Sequence, residues 1–77
     1  MEPFDITVII NGKEKDFLVV PFTDEDKFNL FYGLRALGSI QPKLVDGHTT
    51  WHSETEMPEE LLNQISAEIV KNIIAAG

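Results

Sequence analysis

The dipeptide Asn11-Gly12 lies between two runs of β-branched and aromatic residues, and this arrangement predicts a β-hairpin. Both residues of the dipeptide tolerate the positive φ angles that a two-residue turn of type I′ requires. With the turn at this position, Ile10 pairs with Lys13, and the pairing continues outward to the ends of both strands. Because the turn fixes this register, it also determines which side chains share a face of the hairpin.

The predicted register gives the hairpin one apolar face and one mixed face. The apolar face consists of Phe4, Ile6, Val8, Phe17 and Val19. The mixed face carries the polar residues Asp5, Thr7, Asn11, Glu14 and Asp16, together with the apolar residues Ile9, Leu18, Val20 and Phe22. One helix covers only one face, so the apolar residues of the mixed face predict a second contact. Either another molecule covers them, or the aromatic segment 28–32 folds over them.

Residues 23–38 are compatible with two local structures. In the first, Thr23 caps a helix whose first turn is acidic and whose apolar residues recur at three-residue spacing. In the second, residues 23–26 form an acidic turn, 27–32 form a strand, and 33–36 form the turn to a strand over 37–45. Gly33 would cost about 1 kcal/mol inside a helix but suits a turn. The crowded aromatic residues also favour the second structure.

The remainder of the chain predicts another tight hairpin and a terminal helix. Asp46-Gly47 is a second turn sequence of type I′, and a short strand over 48–52 follows it. Trp51 in this strand is expected to anchor the core, with a binding-surface anchor as the alternative. Pro58 suits the first position of a helix over 58–75. We therefore expect an α+β fold: an antiparallel β-meander of about four to five short strands, with one C-terminal α-helix packed on one face.

The apolar side chains of this helix fall into two groups at about 100° per residue. The expected core-facing group contains Leu61, Leu62, Ile65, Ile69 and Ile73. The expected solvent-facing group contains Glu60, Gln64, Glu68 and Lys71, with Glu68 and Lys71 spaced for an i,i+3 ion pair. Val70 and Ile74 lie between the groups. Either the helix is deeply set, or these two residues belong to a second contact surface.

Chain length and charge limit the classes of function. The 77 residues provide for a single small domain, 1–77, and six basic against thirteen acidic residues give a net charge of −7. The basic residues are scattered, so binding to nucleic acid or to an anionic membrane surface is not expected. The chain has no cysteine, which excludes disulfide and thiolate chemistry and mildly favours a reducing compartment. Without a signal-peptide pattern or a long apolar run, we expect a cytoplasmic protein.

The candidate catalytic and metal-binding residues do not form a recognisable motif. His48 and His52 are the only histidines, and in a strand they stand about 13 Å apart, at ~3.3 Å per residue. That distance is too long for one metal ion. The serines lack the context of a nucleophile elbow, and the glycines do not form a phosphate-binding loop. We expect no enzymatic activity, no cofactor and no metal site.

The leading hypothesis is a non-catalytic protein–protein interaction module, with a homodimer as one form of it. The candidate interaction surface consists of Ile9, Leu18, Val20, Phe22, Val70 and Ile74. The alternative is an acidic inhibitor or nucleic-acid mimic that occupies the binding site of a basic protein, because thirteen carboxylates share a small surface. Apolar association should persist at ~1 M salt, where screening acts over ~3 Å, whereas charge mimicry should not. A small-ligand site in a dimer cleft remains a third option.

Overall fold

Five antiparallel strands form one sheet in which each strand pairs with the next one along the chain. The computed structural model describes residues 2–76. The strands are β1 (Phe4–Ile10), β2 (Lys13–Pro21), β3 (Phe28–Tyr32), β4 (Arg35–Val45) and β5 (His48–Ser53), and the helix is α1 (Glu59–Ala76). The predicted α+β class, with a β-meander and a helix packed on one face, is confirmed.

The first hairpin has the register that its turn sequence predicts. Ile10 pairs with Lys13 next to the turn, and Phe4 pairs with Val19 at the far end. The turn residues adopt positive φ angles of 53° at Asn11 and 76° at Gly12. These are the conformations for which the dipeptide is suited, so a local sequence feature fixes the first two strands.

Residues 23–38 follow the strand alternative. Strand β3 pairs with β2, where Phe28 lies opposite Pro21, and it also pairs with β4. The predicted turn over 33–36 is wrong in length, because Tyr32 already pairs with Arg35. Gly33 adopts a φ of 60°, and the chain reverses its direction within two residues. A glycine tolerates this angle without strain, so no longer turn is needed.

The ladder between β3 and β4 contains a bulge. Leu30 pairs with Gly38 and Phe31 pairs with Ala36, which leaves Leu37 as the extra residue of β4. Gly38 adopts a φ of 106°, and a Cβ atom at this position would lie 2.9 Å from the side chain of Thr55. A bulge bends the strand and increases its twist. Here it lets the segment after β5 approach the backbone of β4 closely.

The core lies between the inner face of the sheet and the helix. Its buried apolar residues are Ile6, Val8, Phe17, Val19, Phe28, Leu30, Ile40, Ile65 and Ile69. The helix contacts β1 and β5, which are the two edge strands, so the sheet curls around it. Trp51 packs against this core with its ring centroid 5.9 Å from that of Phe28. Its predicted role as a core anchor is confirmed.

The helix departs from its predicted faces at two positions. Ile73 was expected in the core but is 41% exposed. Four residues advance an α-helix by about 400°, so side chains spaced four apart differ in direction by about 40°. Ile73 is therefore rotated away from the side of the helix that faces the sheet. Gln64 was expected to face solvent but is hydrogen-bonded to the backbone of β1. The predicted pair of Glu68 and Lys71 is confirmed, at 2.8 Å between carboxylate and ammonium.

Within the part of the chain that the structure describes, no helix has the length and apolarity needed to cross a membrane.

Candidate interaction surface

The helix covers the inner face of the sheet, and the opposite face, called the outer face below, is left to solvent. Side chains alternate between the two faces along each strand, so the residues immediately before and after a buried core residue point to the outer face. In β2, Leu18 and Val20 flank the buried Val19 and therefore belong to the outer face. Phe31 of β3 is the cross-strand neighbour of Leu18 and lies beside it on the same face.

Four apolar side chains of the outer face form a continuous set along β2 and β3. This set, the apolar band, consists of Leu18, Val20, Phe22 and Phe31. Leu18 and Phe22 are 37% and 38% exposed, and the other two are partly buried. Phe22 extends the ladder between the strands, because its backbone N–H donates to the carbonyl oxygen of Lys27 at 3.0 Å. The backbone that carries the band is therefore hydrogen-bonded between β2 and β3 and just beyond the end of β2.

The aromatic segment 28–32 does not fold over this face. It forms β3 and pairs edge to edge with β2, so it widens the sheet and adds Phe31 to the apolar band. Among residues 2–76, no strand or helix forms a second layer over the outer face. The apolar band remains accessible to another molecule.

The six residues predicted as an interaction surface occupy two separate places. Ile9, which is 55% exposed, lies on the outer face together with Leu18, Val20 and Phe22. Val70 and Ile74 lie on the helix, on the other side of the sheet, and are 39% and 72% exposed. This exposure rules out the alternative that the helix is deeply set along that stripe. The structure joins four of the six residues on one face and separates the other two from them.

The outer face of β1 and β2 carries three carboxylates, interspersed with Thr7 and the exposed Ile9. This acidic corner lies on β1 and β2 and consists of Asp5, Glu14 and Asp16. Asp16 accepts a hydrogen bond of 2.8 Å from the hydroxyl of Thr7 across the strands. Lys13 and Lys15 alternate with these carboxylates along β2 and therefore point to the opposite face. The acidic corner has no basic neighbour of its own on the outer face of these two strands.

The other end of the outer face contains a cleft of about 320 Å³ with basic side chains. This basic cleft is lined by Lys27, Lys43 and His52, together with Ser39, Gln41, Ser53 and Glu54. Its single carboxylate, on Glu54, accepts a hydrogen bond of 2.6 Å from Ser39 and lies 4.0 Å from the ammonium of Lys27. That ammonium also lies 3.8 Å from the carboxylate of Glu25 in the adjoining loop. The same ammonium lies 5.6 Å from the ring centroid of Phe22. The basic cleft is therefore directly next to the apolar band.

His52 and Ser66 have identifiable hydrogen-bond neighbours, whereas the buried hydroxyl of Ser53 has none among the described residues. His52 Nε2 lies 3.0 Å from the hydroxyl of Thr50, its neighbour on the same face of β5. The buried hydroxyl of Ser66 donates to the carbonyl oxygen of Asn63, one turn earlier in the helix. Within residues 2–76, no group of three His, Cys, Asp or Glu side chains is arranged to hold a metal ion.

The sequence alone does not predict the basic cleft or the place of Phe31. Lys27, Lys43 and His52 are far apart in the chain and meet only through the registers of β3, β4 and β5. The register of β4 with β5 follows from the Asp46-Gly47 turn. The registers of β3 depend on the six-residue connection over 22–27 and on the bulge in β4, neither of which has a clear sequence signature. Alternation of side chains along 27–32 places Lys27 and Phe31 on one face.

Comparison of the chain with protein-family models, with curated proteins and with solved structures finds no match.

Proposed function

We propose that this protein is a non-catalytic protein–protein interaction module that binds its partner through the outer face of the sheet. The observation that carries this proposal is the apolar band, which lies open to solvent on the middle of that face. Large exposed apolar patches with a polar rim mark interaction sites in soluble proteins. The absence of cysteine supports a cytoplasmic location for this module.

The composition of the outer face supports the same role. Protein interfaces combine an apolar and aromatic centre with a polar, solvent-accessible rim. Here the centre contains Phe22 and Phe31, and the rim consists of the acidic corner and the basic cleft. Both aromatic rings project from a paired sheet, so a partner would meet side chains whose backbone is already ordered. Such preorganisation lowers the entropic cost of association.

The acidic corner also supports the second candidate function, an acidic inhibitor or nucleic-acid mimic. Three carboxylates without a basic neighbour on the outer face of β1 and β2 would attract the basic site of another protein. Such a complex would dissociate as salt is added, because exposed charges are screened beyond ~3 Å at 1 M salt. A complex held by the apolar band would persist. Salt dependence of the complex therefore separates the two functions.

Site-specific photo-crosslinking in cells tests the proposed surface. A benzophenone amino acid at Phe31 is expected to yield a discrete adduct, because Phe31 lies in the apolar band. The matched control is the same amino acid at Leu34, which is fully exposed in the turn after β3. The adduct should disappear when Leu18→Lys is added. Equal adducts from positions 31 and 34, or none from position 31, would contradict the proposal.

A further inference from the structure

We propose that a cleft at the margin of the inner face binds a small aromatic carboxylate. The ring of the ligand lies against apolar side chains, and its carboxylate lies between Lys15 and Arg35. This inner cleft has a volume of about 240 Å³ and lies beside the first turn of α1. It is on the opposite side of the sheet from the apolar band, so the inference goes beyond the proposed function and does not rest on it.

The walls of the inner cleft are mainly apolar. They are formed by Ile10, Phe17, Tyr32, Leu37 and Leu61. The rings of Phe17 and Tyr32 meet edge to face, with their centroids 5.7 Å apart. Phe17 is buried and Tyr32 is 43% exposed, so the ring of Tyr32 is an accessible wall. The volume is below the ~300–1,000 Å³ of pockets for drug-sized ligands, which indicates a ligand with a single ring.

Two cationic side chains border these walls. Lys15 and Arg35 line the inner cleft, and no Asp or Glu of the described residues does. The ammonium of Lys15 lies 5.8 Å from the ring centroid of Tyr32, and Arg35 pairs with Tyr32 across the turn between β3 and β4. The two cations therefore flank one aromatic ring. In the part of the chain that the structure describes, neither of them has a carboxylate oxygen within 4.0 Å, unlike Lys27.

The neighbouring carboxylates belong to other surfaces. Glu14 and Asp16 flank Lys15 along β2 but point to the outer face, because side chains alternate along a strand. Glu60 of α1 lines a different cleft, which adjoins the inner cleft at Leu61. More distant carboxylates are largely screened at about 150 mM salt, where the Debye length is ~8 Å. The charge next to a ligand in the inner cleft is therefore that of its two cations.

The combination of walls and cations defines the chemical class of the ligand. The planar guanidinium of Arg35 offers paired N–H donors that match the two oxygens of a carboxylate, and Lys15 adds a second positive charge. Small-ligand sites combine apolar walls with a few convergent polar groups that fix the orientation of the ligand. A ring joined to a carboxylate by a short linker uses both parts of the inner cleft. A rigid ring also loses little conformational freedom on binding.

An NMR titration of the full chain with phenylacetate, at about 150 mM NaCl to screen distant charges, tests the site. Tyr32 is the only tyrosine of the chain, so its ring resonances report directly on the inner cleft. We expect these resonances to shift and to saturate, with a dissociation constant in the micromolar to low millimolar range. Acetate lacks the ring, and phenylacetamide lacks the charge. Each should bind at least fivefold more weakly than phenylacetate.

Charge variants test the role of the two cations. Lys15→Gln and Arg35→Gln should each weaken the binding of phenylacetate at least fivefold, because each removes one charge-assisted contact to the carboxylate. The weak binding of the neutral phenylacetamide should change less than twofold. Lys43→Gln is the matched control, since it removes the same charge on the outer face, and it should change the affinity for phenylacetate less than twofold. Circular dichroism checks that each variant is folded.

Three outcomes would overturn the inference. The first is the absence of a saturable shift of the Tyr32 resonances at millimolar phenylacetate. The second is equal affinity for phenylacetate and phenylacetamide, and the third is unchanged affinity in both Lys15→Gln and Arg35→Gln. None of these outcomes affects the photo-crosslinking of the outer face, so the proposed function is tested separately.

Discussion

The side-chain amide of Gln64 is hydrogen-bonded twice to the backbone of Ile9. The N–H of Ile9 donates to Oε1, and Nε2 donates to the carbonyl oxygen of Ile9, each at 2.9 Å. In a two-residue hairpin the residues next to the turn exchange hydrogen bonds, so the backbone groups of Ile9 point away from β2. The amide occupies the place that another strand would take. It ties α1 to the free edge of β1 and protects part of that edge from pairing with other chains.

Replacing this amide should loosen the edge of β1. Gln64→Ala removes both hydrogen bonds, and we expect it to lower the free energy of unfolding by about 1–2 kcal/mol, since each such bond contributes roughly 0.5–1.5 kcal/mol. Urea denaturation measures this loss. Asn63→Ala is the matched control, because Asn63 is exposed on the same helix. Amide hydrogen exchange at Ile9 should accelerate only in Gln64→Ala, and unchanged exchange there would contradict the role given to this contact.

Truncation of the helix core should be far more costly than truncation of its exposed stripe. Ile69 is fully buried, so Ile69→Ala should lower the free energy of unfolding by about 2–5 kcal/mol through lost burial and a residual cavity. Ile74 is 72% exposed on the same helix, and Ile74→Ala should stay within about 0.5 kcal/mol of the wild type. Chemical denaturation gives both values. Equal effects at the two positions would mean that the helix is rotated about its axis.

Gly38 should tolerate a side chain less well than the turn glycine Gly33. A Cβ atom at Gly33, with φ at 60°, meets no atom within 4 Å, so Gly33→Ala should cost about 1–2 kcal/mol from the backbone alone. Gly38→Ala combines a less favourable φ of 106° with a contact of 2.9 Å to Thr55, and it should cost more.

A double-mutant cycle isolates that contact. Thr55→Ala removes the two nearest atoms, the methyl and the hydroxyl of Thr55, and leaves its Cβ at 3.5 Å. In the Thr55→Ala background, Gly38→Ala should therefore be less destabilising, by about 0.5 kcal/mol or more. Thermal or urea unfolding of the four proteins gives the coupling energy. Strict additivity would show that backbone strain alone explains the need for glycine.

Salt should stabilise the monomer. The chain has a net charge of −7, and Asp24, Glu25 and Asp26 form an exposed acidic loop besides the acidic corner. Screening reduces the repulsion among these carboxylates, so the melting temperature at low protein concentration should rise as NaCl increases from about 10 mM to 200 mM. Asp16→Asn should show a weaker salt effect. A melting temperature that falls with added salt would mean that ion pairs outweigh the repulsion.

How much of this structure the sequence predicts depends on how local its determinants are. Asn11-Gly12 fixes the register of the first hairpin, because two adjacent residues with positive φ define the whole turn. Pro58 and the glutamates that follow it predict the start of the helix in the same local way. Residues 23–38 stayed ambiguous, because their apolar spacing suits a helix while Gly33 and the aromatic residues suit strands. Pairing with β2 decides between them.

The parts that the sequence did not predict depend on distant partners. Gln64 matches the polar face of the helix. Nothing near it in the sequence indicates that its side-chain amide is hydrogen-bonded to the backbone of Ile9, 55 residues earlier. Ile73 continues the four-residue spacing of the core face, and its exposure follows from the rotation of about 40° that each such step adds around the helix. Only part of the candidate surface could be predicted, because the rest of it also depends on distant partners. The hairpin pattern revealed Leu18, Val20 and Phe22, whereas Phe31 and the basic cleft required the registers of three further strand pairs.

The order of the strands has a consequence for how the chain folds. Each strand pairs with its successor across a connection of two or six residues, so the sheet can grow by short loop closures, which are fast. Docking of α1 on β1 is the one step that must bring distant parts of the chain together. During synthesis the five strands leave the ribosome before the helix does. Until α1 emerges, the apolar residues of the inner face lack the helix that covers them, and in this interval the chain is most exposed to aggregation and to chaperones.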